Sequence, residues 1–195
     1  MKRFLTFFAL AALLTGCVAR TADTRVETLQ STYDGMNGCT ARVEAAIVRA
    51  EETASYVLDV ERTGEETRVT VREPEALAGI SATVGGDDSL AITFDGMVLD
   101  AGSVEPEVCA VNAASIFLRA AAKGYVTERS RERFEDVDDA LRLCFETERA
   151  GKKLLVTAYF DESDKPLYAE LEEDGRILAY LQFTDFTFCD IISSH

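Results

Sequence analysis

Period-2 alternation of apolar and polar residues, broken by turn dipeptides and recurring along most of the chain, is the feature that most restricts the fold. It runs through Thr40 to Ala50, Ser55 to Glu61, Thr67 to Arg72, Ile80 to Val84, Leu90 to Phe94 and Met97 to Leu99. It resumes at Leu141 to Thr147, Lys153 to Asp161, Pro166 to Leu171, Ile177 to Phe183 and Phe186 to Asp190. In the second segment Tyr56, Leu58 and Val60 oppose Val57, Asp59 and Glu61; in the third, Val69 and Val71 oppose Arg68, Thr70 and Arg72. Such a pattern gives each strand one apolar and one wet face. Asp95-Gly96 is a strong hairpin signal, because a type I′ turn needs positive φ at both central residues, and Gly85-Gly86-Asp87-Asp88, Ala150-Gly151, Asp161 to Lys165 and Asp174-Gly175 are further turns, so consecutive strands are expected to pair antiparallel.

Two segments depart from this pattern. Thr24 to Met36 spaces Val26, Leu29 and Tyr33 as one helical face, with Asp23 or Thr24 to cap it and Gly35 or Gly38 to end it. Val108 to Ala122 is rich in Ala, Leu, Ile and Phe. Ser103 or a neighbour would cap it, Pro106, Glu105 and Glu107 lie in its first turn, and Lys123-Gly124 stops it. This second helix is expected to pack on the sheet as a lid or plug. Ser130 to Asp139 reads as a charged surface loop, and its DVDD run lacks the length and glycine of a calcium loop. The order is meander, helix, meander. No strand–helix–strand alternation occurs, so doubly wound nucleotide folds are excluded, and neither GxGxxG nor a P-loop is present.

Composition narrows the chemistry. With 20 Lys and Arg against 35 Asp and Glu the net charge is −15, and nucleic-acid binding needs the opposite. The one histidine is His195, the last residue, so no internal histidine can serve as base or metal ligand. No SxxK, GxSxG or CxxC occurs. Pairs such as Glu172-Glu173 or Asp161 with Asp164 are expected by chance among 35 acids. The expectation is a non-enzymatic protein with neither cofactor nor metal.

The first 16 residues have the layout of a secretory signal: Lys2 and Arg3, an apolar run from Phe4 to Leu14, then a polar stretch. The run is shorter than the roughly 20 residues a membrane span needs. Leu14-Thr15-Gly16-Cys17 resembles the lipobox of bacterial lipoproteins, which implies removal of residues 1–16, acylation of Cys17 (palmitate or a similar chain) and a lipidated tether over 17–23. The remaining body, residues 24–195, would then be extracytoplasmic and anchored to the bacterial cell envelope by its lipid. Loss of Lys2 and Arg3 leaves 18 basic against 35 acidic residues, a net of −17, so anionic headgroups would repel the body and the acyl chains would hold it. Four further cysteines, Cys39, Cys109, Cys144 and Cys189, allow two disulfides in any of three connectivities, or serve as buried thiols.

The element order resembles the LolA/LolB family of lipoprotein localisation factors. The local text is closest to LolA-like lipoproteins of spore-forming Firmicutes, of the GerS germination type. The residues that carry this are TLQSTYDGMNGCTARVEAAI (28–47), VTVREPEALAGISATV (69–84) with LAITFDGMVL (90–99), and above all LLVTAYFDESDKPLYAELEEDGRILAYLQFTDFTF (154–188). The resemblance implies an α+β fold, LolA/LolB/RseB-like: a curved, incompletely closed antiparallel β-barrel of about 10–11 strands, with helices packed in or over its concave face. Two departures stand against lipoprotein transfer as such. No arginine matches the one that latches the LolA cavity, and no long loop rich in Leu or Trp matches the delivery loop of LolB.

Two functions follow from that fold. The first is binding of a hydrophobic, acyl-bearing ligand in a concavity lined by Leu58, Val69, Val71, Ile92, Phe94, Phe145, Val156, Leu181 and Phe183, facing Ile116 and Phe117 of the helix; the same residues would equally make an ordinary filled core. The second, implied by the GerS-type resemblance, is a protein-binding lipoprotein that tethers or stabilises an envelope or spore-germination partner. Tyr125, Tyr159, Tyr168 and Tyr180 would be its aromatic anchors.

Overall fold

The structure, a computed structural model, describes residues 24–50, 52–87, 89–103 and 107–189. The signal segment 1–16, Cys17, the tether 17–23, Pro106 and His195 lie outside the described residues. Helix α1 spans residues 24–35. Eleven strands follow: β1 Gly38–Arg49, β2 Glu52–Thr63, β3 Glu66–Glu73, β4 Ser81–Val84, β5 Ser89–Phe94, β6 Met97–Ser103, β7 Tyr125–Phe134, β8 Val137–Arg149, β9 Lys152–Phe160, β10 Pro166–Glu173 and β11 Arg176–Phe188. Helix α2, Ala113–Lys123, stands between β6 and β7. Among the described residues no helix is long and apolar enough to cross a membrane.

All eleven strands form one antiparallel sheet in the order β6-β5-β4-β3-β2-β1-β11-β10-β9-β8-β7. It is two meanders joined where β1 pairs with β11, Val43 opposite Phe183. Its outer strands are β6 and β7, which flank α2 in sequence, so the chain crosses from one edge to the other and carries α2 over one face. That face is concave. β2 and β8 are five strands apart in the order, about 24 Å on a flat sheet at ~4.8 Å per strand, yet residues of both line one cavity of about 300 Å³. The two edge strands do not pair among the described residues. The fold is therefore the α+β, incompletely closed barrel that the resemblance implied.

Two of the hairpin turns, β5–β6 and β10–β11, form where glycine follows a residue that tolerates positive φ. Asp95 and Gly96 have φ of 49° and 75°, and Asp174 and Gly175 of 53° and 76°, the combination that a type I′ turn requires.

Three expectations are corrected. Ser130 to Asp139 is the hairpin of β7 and β8, not a loop. Its strand residues are charged on both faces because β7 is a solvent-exposed edge, and it is held by its pairing with β8 and by the ion pairs Arg131–Asp139 and Arg142–Glu128. The stretches expected as two strands, Ile177–Phe183 and Phe186–Asp190, fall in one strand, β11, which ends at Phe188; Asp190 lies outside the described residues. Asp185 (φ 52°) and the register shift between Thr40 and Arg42 mark a bulge there rather than a turn. The second helix starts at Ala113, five residues later than predicted, because Asn112 closes a preceding turn. Its Oδ1 accepts from the Cys109 N–H (2.9 Å) and its Nδ2 donates to the Glu107 carbonyl (2.8 Å).

Candidate functional site

The concave face is the candidate site. Helix α2, AASIFLRAAAK, is built from strong helix formers, and nine of its eleven residues are buried. It packs on β8, β10 and β11, with Ile116, Phe117 and Leu118 in the main core. Gly124 ends it. Its N–H caps the Ala120 carbonyl at 2.8 Å, and a Cβ there would lie 2.5 Å from the Ala120 oxygen and 2.9 Å from the Phe145 Cβ. Only glycine lets β7 leave the helix so close to β8.

Helix α1 closes one end. Arg25 pairs with Asp164 at 2.7 Å and donates to the carbonyls of Asp161 and Glu162 at 3.2 and 3.1 Å. Tyr33 donates to the Asp164 carbonyl (2.9 Å), and Gln30 to that of Gly124 (2.8 Å). Tyr33 is fully buried, and burial, with the nearby Cys39 and Asp164, holds its hydroxyl well above its usual range. Its ring meets Phe117 at 6.2 Å, Phe160 at 5.8 Å and Phe188 at 5.6 Å. Burial likewise raises the Asp164 carboxyl, against the opposing effect of Arg25.

Eight of the eleven predicted cavity residues meet here: Leu58, Val69, Ile116, Phe117, Phe145, Val156, Leu181 and Phe183 all belong to the buried cluster. Val71 packs at its margin. Ile92 and Phe94 do not join it. Ile92 is half-buried and Phe94 51% exposed, because β5 lies beyond the strands that α2 covers, so alternation continues there with nothing to face. In β6, Met97 and Leu99, opposite Phe94 and Ile92, are exposed for the same reason, and Val98, on the other face, is exposed as well.

All four described cysteines are free thiols. Cys39 is buried in β1, and burial pushes its thiol up to about 12. Cys144 is buried, Cys109 half-buried and Cys189 exposed. No group of acidic, cysteine or histidine side chains among the described residues is placed to hold a metal.

The opposite, convex face carries an aromatic row. Phe134 stacks on Tyr159 with centroids 4.3 Å apart, Tyr159 lies 6.2 Å from Tyr168, and Tyr168 lies 6.3 Å from Tyr180. Three of the four predicted tyrosine anchors thus meet on neighbouring strands, and Tyr125 stands apart, 75% exposed. Tyr168 and Tyr180 also line a shallow groove of about 410 Å³ with Tyr56, Glu44 and Glu73. Burial and the neighbouring Glu170 push the Tyr168 hydroxyl up to about 12.

The sequence reading missed Arg62. It is 8% exposed and its side chain turns to the concave face. The signal was available, since the alternation Leu58, Val60 continues by two to residue 62.

No protein-family model matches this sequence, and no curated protein matches it either. Solved structures do match in shape. An uncharacterised conserved protein from Thermus thermophilus is 15% identical, over 87% of this chain and 89% of that one, with a TM-score of 0.50. A LolA superfamily protein from Nitrosomonas europaea is 13% identical, over 87% and 94%, with a TM-score of 0.49. At such identities the likeness concerns the fold alone.

Proposed function

We propose that the chain is a lipid-anchored, extracytoplasmic binding protein of the bacterial envelope whose body, residues 24–195, holds a hydrophobic, acyl-bearing ligand on its concave face. One observation carries the reading: the apolar concave face of an unclosed sheet is covered by two short helices, α2 over its middle and α1 at one end, rather than by a second sheet. A guest that displaces or slides beside α2 would exchange one apolar cover for another. The net burial then changes little, which makes such exchange thermodynamically accessible. The role is non-enzymatic, with the ligand entering and leaving unchanged. The test is native mass spectrometry of residues 22–195 purified without detergent, followed by organic extraction. A stoichiometric co-purified lipid supports the reading. A clean apo mass that takes up neither fatty acid nor phospholipid overturns it.

A second reading, a tether for an envelope or spore-germination protein, is favoured by the aromatic row Phe134, Tyr159, Tyr168 and Tyr180 on the convex face. Aromatic side chains concentrate binding energy at interfaces. Under this reading Tyr159→Ala and Tyr168→Ala would release a partner captured from the envelope and leave lipid content unchanged.

A further inference from the structure

At the end of the concave face, between the C-terminal half of α2, the β2–β3 turn and the β8–β9 turn, lies a cavity of about 300 Å³. In a chain of net charge −15, four cations line it: Arg62, Arg119, Lys123 and Arg149. Two carboxylates, Glu65 and Glu148, and the hydroxyl residue Thr147 complete its polar wall, with Ile116 on the apolar side.

Arg62 is the unusual member. It pairs across the sheet with Cys39 on β1 and Thr67 on β3, 1% and 2% exposed, which share its face. The guanidinium is thereby drawn inward. Its Nε donates to the Gly64 carbonyl at 2.9 Å, but its Nη1 is buried with no hydrogen-bond partner. A guanidinium stays charged at any ordinary pH, and a buried charged donor without an acceptor is costly. The fixed fork of arginine suits planar or tetrahedral oxyanions. The acidic surface is no obstacle, because at physiological ionic strength its repulsion is screened within about 8 Å, and among the cavity's own lining residues the four cations outnumber the two carboxylates.

We propose that this cavity binds a compact oxyanion, a phosphate- or carboxylate-type group that accepts from the Arg62 Nη1 and is surrounded by Arg119, Lys123 and Arg149. The anion arrives either free or as the head of an acyl ligand. The second source deepens the proposed function and rests on it; the first does not. Ile116, which lines the cavity and also belongs to the apolar core, joins the two regions, so a head in the cavity would point its chain along α2.

The test is titration calorimetry of the mature chain with three probes: inorganic phosphate, dodecyl phosphate below its micelle concentration, and the neutral dodecyl maltoside. The proteins compared are wild type, Arg62→Met and Arg119→Gln. Binding of phosphate itself identifies a free-anion site, and binding of dodecyl phosphate alone a head-group site. In either case Arg62→Met should weaken binding about tenfold to a hundredfold, as expected for a charge-assisted hydrogen bond, and Arg119→Gln should weaken it less. Thermal unfolding should show Arg62→Met to be folded, since removing an unpaired buried charge relieves desolvation. If Arg62→Met does not fold, Arg119→Gln decides, by weakened or unchanged anion binding. Equal anion affinity in wild type and variants overturns the inference. So does binding of the neutral probe with neither anion, a result that leaves the acyl reading standing. Binding of no probe overturns the inference and counts against the acyl reading as well.

Discussion

Phe94 and Phe117 look alike in sequence, each an apolar residue at a position of its element expected to face the concavity, and the structure separates them. Phe117 is fully buried, with ring centroids at 4.8 Å from Phe183 and 6.2 Å from both Tyr33 and Phe160. Phe94 is 51% exposed. Truncating a buried phenylalanine to alanine removes its transfer free energy and leaves a cavity, in total about 3–5 kcal/mol. For a chain of 195 residues each kcal/mol shifts Tm by about 2–4 °C, so Phe117→Ala should lower Tm by about 6–20 °C. Phe94→Ala should stay within about 0.5 kcal/mol, about 2 °C at most. Far-UV circular dichroism melts of both variants with calorimetric confirmation are the assay. A similar shift in the two variants, or a fall of under about 3 °C for Phe117→Ala, would refute the assignment of α2 as the cover of the core.

Replacing Gly96 or Gly175 with Val forces a β-branched residue to φ of 75° or 76° and should cost at least 1 kcal/mol each; unchanged thermal unfolding of both would contradict the hairpin turns. Asp59 and Glu170 should respond to pH in opposite senses. Desolvation raises the Asp59 carboxyl, but hydrogen bonds from Arg72 (2.5 Å) and Arg42 (3.1 Å) outweigh it and hold the group below 3.8. Its contribution is therefore present above that value and lost as pH falls, so Asp59→Asn should destabilise at pH 7 and converge on wild type in acid. Burial, with Glu172, holds Glu170 above 4.5. Its charged form is a liability that grows as pH rises through that window, so Glu170→Gln should stabilise at pH 7 and be neutral in acid; denaturant midpoints across pH 3–7 that move together for both variants would contradict these signs. Cys17→Ala should release the protein from the membrane fraction of expressing cells, and persistent pelleting would contradict acylation there.

The sequence made the sheet legible wherever one strand face is buried and the other wet. Cys39, Ala41, Val43, Ala45 and Ile47 alternate in sequence and are all buried in β1. It could not show β7, whose TERSRER has no apolar member because both faces meet water; the strand exists through its pairing with β8, which lies 17 residues away where Thr127 donates to Cys144. Alternation also told nothing about coverage. Ile92 and Phe94 have the pattern of core residues, but whether such a residue is buried depends on where the crossing helix runs, a tertiary fact. Arg62 shows the reverse case: the period placed it inside, while its charge argued for the wet face.

The chemistry of the two edge strands explains why the sheet stays open. β6 presents Met97, Val98 and Leu99, each 65–67% exposed. β7 presents Glu128, Arg129, Arg131, Glu132 and Arg133, all exposed. Joining these edges would set charged side chains against an apolar strand and strip water from them without giving them partners, a cost well above the gain from the few ladder hydrogen bonds formed. The charges on β7 also guard that edge against pairing with other chains. The connection that carries α2 must bridge the same two edges, since β6 precedes it and β7 follows it. The seam and the helix are therefore consequences of one topological feature.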